Sequence, residues 1–252
     1  MSIEFLTFLR REIHRFLVLY KQTIIPALVS SLLYIIVFGT TLGTRISSID
    51  GVPYINYIVP GLAMMSVINQ AYQNSASSIM QGKYLKFIED FLVAPLSGFE
   101  ISLGYIIGGA IRGLICGLGI LIICLFMTDL KIENYLLTFI YLSTVSWTFS
   151  AFGVIIGIYA KSWDEIGTFT NFVFMPLTFL GGVFYSVDML PELWRNISYI
   201  NPIYWMISGL RYSTLGLEEN ANLISLFICF GFSCLFTLIA TWMFKTGYKI
   251  KS

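Results

Sequence analysis

The chain has 252 residues, of which 57% are hydrophobic and 12% charged, and its formal net charge is +1. Soluble domains run roughly 45–50% apolar and about 25% charged, so this composition excludes a water-soluble fold and makes lipid the solvent. No basic tract points to nucleic acid, and one histidine, His14, cannot build a His-based metal site or catalytic triad.

In residues 1–21, Phe5, Leu6, Leu9, Ile13, Phe16, Leu17 and Tyr20 recur at helical spacing, opposite Arg10, Arg11, His14 and Arg15. That pattern reads as an amphipathic helix in the cytoplasmic headgroup plane, with a frayed terminus as the alternative. The stretch lacks the compact apolar core and small-residue site of a cleavable signal peptide. A hydrocarbon core about 30 Å thick needs about 20 apolar residues per crossing. Six segments qualify: 22–43, 55–80, 101–127, 135–160, 167–185 and 222–244. The expected fold class is an all-α membrane protein, one transmembrane domain over 1–252 with no soluble domain. Span one holds Pro26 near its start, where proline is tolerated.

The second half of span two carries Ser66, Asn69, Gln70, Gln73, Asn74 and Ser77 at intervals of three or four residues, a polar stripe on one helical face. Amides facing lipid would leave donors and acceptors unpaired, so the stripe must face other helices or a wet cavity. It serves either as interhelical glue or as the lining of a substrate path. Residues 81–100 then contain "YLKFIEDFLVAPLSGFE". A helix from about Gly82 to Val93 puts Tyr84, Leu85, Phe87, Ile88, Phe91 and Leu92 on an apolar face and Lys83, Lys86, Glu89 and Asp90 on a charged ridge, with Pro95 ending it. An interfacial linker is the plain reading; a coupling helix that docks into a cytoplasmic ATPase is the sharper one.

Span three carries Arg112 near its middle, flanked by Gly104, Gly108, Gly109, Gly113 and Gly117. An arginine there costs about 2.5–3.5 kcal/mol on insertion scales, so it faces the bundle interior or water, touching substrate or bonding carbonyls at a helix break. Span four gives way at Lys161 to a short charged loop, "KSWDE", holding Asp164 and Glu165. After span five, residues 186–221 contain two aromatic-rich stretches separated by Asn201-Pro202, with Trp194, Trp205 and Arg211. Each is too short to cross and reads as an interfacial or re-entrant external helix shaping an outer mouth. Cys116, Cys124, Cys229 and Cys234 fall within spans and read as buried small hydrophobes, without disulfide or metal spacing.

With the N-terminus inside, ten Lys and Arg fall on cytoplasmic segments and four on outer ones, Arg112 apart. The positive-inside rule therefore puts both termini in the cytoplasm. No P-loop exists, since Gly82-Lys83 is followed by Tyr84 and the upstream glycine is missing. The five aspartates lie in loops or at membrane edges, so no intramembrane acid dyad forms. The catalytic and metal residue sets are thus empty, and energy for uphill movement has to come from another chain.

"IEDFLVAPLSGFEISLGYIIGG", "MPLTFLGGVFYSVDMLP" and "NPIYWMISGLRY", in this order, resemble the type-2 ATP-binding-cassette (ABC) exporter permeases, in their YadH-like branch. The resemblance implies a homodimer of six-span subunits above two cytoplasmic ABC ATPase subunits that bind ATP and Mg, while this chain binds no cofactor. It implies an integral protein of the bacterial cytoplasmic (inner) membrane that exports a lipid-like, glycan or amphipathic drug substrate. Lys83, Tyr84, Lys86, Phe87, Glu89, Asp90, Phe91, Asp164 and Glu165 would meet the ATPase. Asn69, Gln70, Gln73, Asn74 and Arg112 would lie on the substrate pathway. The residues alone also allow a stand-alone channel or ion-coupled carrier, or a non-transporting membrane scaffold.

Overall fold

In lipid a backbone can satisfy its own polar groups only within helices or closed barrels, and this chain takes the helical solution. The computed structural model describes residues 3–87, 95–217 and 222–249. Helices α1 (Ile3–Val18), α2 (Tyr20–Thr23) and α3 (Ile25–Thr41) lead into a two-residue hairpin, β1 (Ser48–Ile49) against β2 (Val52–Pro53). Asp50 and Gly51 turn it with φ of 50° and 79°, the paired positive dihedrals that a tight type I′ turn requires. Then follow α4 (Tyr54–Tyr84), α5 (Gly98–Met127), α6 (Tyr135–Tyr159), α7 (Trp163–Phe169), a π-helical turn (Thr170–Phe174), α8 (Met175–Leu180), α9 (Glu192–Ile200), α10 (Pro202–Leu215) and α11 (Asn222–Thr246).

Among the described residues four stretches are long and apolar enough to cross a membrane: Tyr20–Thr41, Gly98–Met127, Tyr135–Tyr159 and Ile224–Thr246. Helix α4 has the length, but its amides and serines lower its hydropathy. The α7–α8 run begins with Asp164 and Glu165 and is broken by the π turn. Span five, expected over 167–185, is a helix from Trp163 to Leu180; Gly182 at φ 79° ends it in a left-handed turn.

Helix α4 is the hub of the bundle. It packs along α5 and α6, and Tyr57, Ile58, Val67, Ile68, Ala71 and Tyr72 are wholly buried. Small residues make that approach possible. A Cβ on Gly109 would strike Ser75 and Ser150, and one on Gly153 would lie 2.5 Å from the Tyr72 carbonyl oxygen. Hydroxyls stitch the seam: Ser75 and Ser150 are hydrogen-bonded at 2.7 Å, Ser150 donates to the Ile106 carbonyl at 2.7 Å, and Ser146 donates to that of Ala110 at 2.6 Å. A smaller apolar cluster of Phe8, Ile101, Tyr105, Val154 and Phe244 joins α1 and α11 to this core.

Two expectations need correcting, on Cys234 and on Gly82. Helix α1 forms where a helix was expected, with Leu6 and Leu17 exposed while Phe5, Phe8, Glu12 and Phe16 face the bundle. The anchoring surface is the one that meets Gly104 and Gly108 of α5, where ring and carboxyl side chains fit. Cys234 is exposed, unlike the other three cysteines. The helix expected from Gly82 does not start there either, because α4 continues to Tyr84 and is followed by a turn over Leu85–Phe87. Lys86 ends it at φ 59°, the left-handed position that closes many helices.

Candidate functional site

The C-terminal end of α4 sits beside the C-terminal end of α6. Lys83 turns inward instead of joining a charged ridge, donating to the Ile158 carbonyl and, at 3.1 Å, to that of Ala160. An ammonium suits the last carbonyls of a helix, which carry partial negative charge. Burial lowers the Lys83 ammonium to about 8, with Lys249 adding to that effect and Glu165 opposing it. Tyr84 is 78% exposed rather than on a packed apolar face. The Arg11 guanidinium lies 4.3 Å from the Phe87 ring centroid, so α1 grips the turn after α4. Glu89, Asp90 and Phe91 lie outside the described residues.

The loop between α6 and α7 is held by reciprocal capping. Ser162 accepts from the Glu165 amide at 3.3 Å, and the Glu165 carboxylate accepts from the Lys161 amide at 3.0 Å. Glu165 is therefore occupied with holding its own loop, and Asp164 and Trp163 are left exposed. Both segments border a cavity of about 800 Å3 lined by Lys83, Tyr84, Tyr159, Trp163, Asp164 and Lys249. Lys249 stands 3.6 Å over the Tyr159 ring. At the start of α5, Ser97 and Glu100 form a capping box, so Glu100 serves the helix end.

The polar stripe on α4 meets several different elements. Asn74 is fully buried and accepts from Arg15 of α1 at 3.2 Å, while its backbone carbonyl accepts from the same guanidinium at 2.8 Å. Gln73 donates to the Thr170 hydroxyl at the π turn, 3.1 Å away. Gln70 accepts from Arg112, which also donates to the Thr23 carbonyl at 3.2 Å. Arg112 thus fastens α5 to α4 and to the end of α2. Asn69 donates to its own helix at Met65, 2.9 Å away, and faces a cleft beside α3. Four stripe residues named from the sequence therefore have four different neighbours, and three of them act as interhelical ties.

On the side opposite the α4–α6 ends, Asn201 caps α10 by accepting from the Ile203 amide at 3.0 Å, and donates to the Leu177 carbonyl at 2.6 Å. Pro202 occupies the first helical position, where its missing N–H costs nothing. Arg211 is 1% exposed. Its guanidinium lies 3.9 Å from the Tyr57 ring centroid and donates to the Gly182 carbonyl at 2.8 Å, locking α10 to α4 and to the end of α8. Trp205 donates to the Tyr199 carbonyl at 2.9 Å, whereas Trp194 is about half exposed.

Sequence reasoning missed Glu12. Its carboxylate is buried between α1, α4 and α5, accepts from the Ser78 hydroxyl at 2.6 Å and lies 3.7 Å from Arg15. The available signal was its spacing: Phe5, Phe8, Glu12 and Phe16 fall on one helical face, with a lone acid among aromatics.

The profile of the family described as ABC-2 type transporter matches residues 3–215. Over 242 residues the chain is 39% identical to the inner membrane transport permease YadH of Escherichia coli K12, covering 96% of this chain and 94% of that one. It is similar at 24% identity over 197 residues to nodulation protein J of Rhizobium leguminosarum bv. viciae, covering 77% and 75% of the two chains. With nodulation protein J of Sinorhizobium fredii it shares 21% identity over 178 residues, 70% and 68% of the two chains. A helical bundle with membrane-length apolar helices, matched to one profile over most of its length, places the chain in the ABC-2 type transporter family, as a membrane permease subunit.

Proposed function

We propose that the chain is the membrane-spanning subunit of an ATP-driven exporter in a bacterial inner membrane, working as a homodimer over two copies of a cytoplasmic ABC ATPase. ATP and Mg belong to that partner. In this reading α2–α3, α4, α5, α6, α7–α8 and α11 are six crossings, both termini are cytoplasmic, and α9 and α10 are the external re-entrant helices. The cargo is a lipid-like, glycan or amphipathic drug molecule.

The observation that carries the reading is the Lys83 tie. The turn after α4 and the loop after α6 are the two cytoplasmic segments available to a partner, and Lys83 joins the helix ends from which both emerge. A push on either segment is thereby felt by the two most closely packed helices of the bundle. Photo-crosslinking from Tyr84, which is exposed and leaves the Arg11–Phe87 stack intact, tests this in native membranes. Capture of a soluble chain bearing a Walker A lysine is expected; capture of lipid alone from an abundant, inserted chain would overturn it.

One rival, an ion-coupled carrier acting alone, would draw on the buried Glu12 of α1 as its titratable group. That rival requires transport by the purified chain without nucleotide, which the exporter reading forbids.

A further inference from the structure

Between α3 and α4 lies a cleft of about 260 Å3 lined by Ser30, Ser31 and Tyr34 from one side and Ser66, Asn69 and Gln70 from the other. Polar groups in hydrocarbon are costly unless something bonds to them, and two of these are left unbonded by the protein. The Ser66 side chain is 8% exposed and its hydroxyl has no partner; nor has the Asn69 side-chain oxygen. A helical hydroxyl ordinarily bonds back to the carbonyl four residues earlier, as Thr40, Thr148 and Thr178 do here. Ser66 does not.

Ser30 and Tyr34 also line a second groove of about 310 Å3, whose remaining wall is Leu33, Val37 and Phe38. The polar cleft therefore continues along α3 into an apolar channel. Helix α3 is loosely held, with Val29, Leu33 and Val37 about half exposed, so both spaces can be reached from the lipid side. Among the described residues no Lys, Arg, Asp or Glu lines either space; the cation behind the wall, Arg112, is already taken up by Gln70 and the Thr23 carbonyl, so a charged head would be stripped of water without a direct ion partner.

We propose that the α3–α4 cleft binds the uncharged, hydroxyl- or amide-bearing head of a membrane amphiphile, whose chain lies in the Leu33–Phe38 groove. Ser66 and Asn69 are the residues that recognise the head. The site stands on its own geometry; only its assignment to cargo rests on the exporter reading.

The test uses the full chain in phosphatidylcholine nanodiscs, photolabelled with a dodecyl glucoside carrying a diazirine in its chain. Label is expected on peptides spanning 26–38 and 62–70, with excess dodecyl glucoside competing and excess dodecyl sulfate not. Ser66→Ala with Asn69→Leu should lower labelling about sevenfold, the worth of two intramembrane hydrogen bonds, while Asn69→Gln retains it. Ala27→Phe narrows the same cleft from α3 and guards against a misfolded double variant; it should lower labelling as well. Equal competition by the sulfate, or label indifferent to both cleft variants, would overturn the proposal and leave water as the occupant. No nucleotide enters this measurement, so its failure leaves the exporter reading standing. In native vesicles, loss of label on adding ATP marks the amphiphile as cargo, and retention marks it as a resident lipid; either outcome supports the site.

Discussion

The Ser78 hydroxyl donates to the Glu12 carboxylate across 2.6 Å, joining α1 to α4 five residues before Lys83. With Arg15 on Asn74 and Arg11 over Phe87, α1 holds the C-terminal half of α4 and the turn after it at three points. Burial raises the Glu12 carboxyl above its ordinary 4.5, and Arg15, Ser78 and Arg11 offset part of that. The folded chain therefore holds this proton more tightly than the unfolded chain. The stability this contributes is fully present below about 4.5 and is lost as pH rises through the folded value. Thermal unfolding of the detergent-solubilised chain should shift to higher temperature as pH falls from 7 toward 5. Glu12→Gln should flatten that dependence and unfold at least as high at pH 7. Arg15→Leu, which strips the buried carboxylate of its partner, should cost about 3 kcal/mol. An unchanged pH slope in Glu12→Gln would refute the assignment.

Arg112 bonds two acceptors on two elements, Gln70 and the Thr23 carbonyl. Both bonds leave one terminal nitrogen, which a lysine ammonium can imitate in part, whereas leucine leaves both acceptors unpaired in a buried site. Arg112→Leu should lose about 1–2 kcal/mol of stability, and Arg112→Lys less. If Arg112 instead touched cargo, Arg112→Lys would keep full stability yet change transport, so measuring unfolding and transport on the same preparation separates the two roles.

The α4–α6 seam predicts a sharp contrast between glycines. A Cβ on Gly153 would meet the Tyr72 backbone, which cannot step aside, whereas one on Gly231 would meet nothing within 4 Å. Gly153→Val should abolish recovery of monodisperse protein; Gly231→Ala should leave recovery unchanged. Size-exclusion profiles after solubilisation check both.

Asp164 and Glu165 stand side by side but should respond differently. Glu165→Ala removes a cap and should cost about 1 kcal/mol, visible in unfolding. Asp164→Lys leaves the caps intact and reverses an exposed charge. It should leave unfolding unchanged while reducing co-purification of the ATPase. Reversing Glu89 and Asp90 to Lys should do the same more strongly; undiminished co-purification in that double variant would count against the coupling segment as the docking element.

Capping is local chemistry and its signals were present but unread: Ser97 with Glu100 and Ser162 with Glu165 start α5 and α7 at Gly98 and Trp163, ahead of the expected 101 and 167, while Asn201-Pro202, read as the break between two stretches, is where α10 begins. The amide stripe was legible as a buried face, but not its partners, since Arg15, Thr170 and Arg112 come from distant parts of the chain. Lys83 was misread for a related reason. On a helical wheel it joins a charged ridge, and only the position of α6 reveals carbonyls within reach. Helix α1 was legible as a helix, but not the Phe5, Phe8, Glu12 and Phe16 face by which it packs, because shape and hydrogen bonding decide what meets α5.

The serine and glycine seam joining α4, α5 and α6 has a mechanical consequence. Backbones that touch through hydroxyls and bare α-carbons have no layer of flexible side chains to absorb a displacement, so these three helices behave as one rod rather than a set of springs. A tilt imposed at the Lys83 end would reach Tyr57 and its neighbour Arg211 undamped. The compliance of the molecule is left to the thinly packed α3, which can swing aside while the rod keeps its shape.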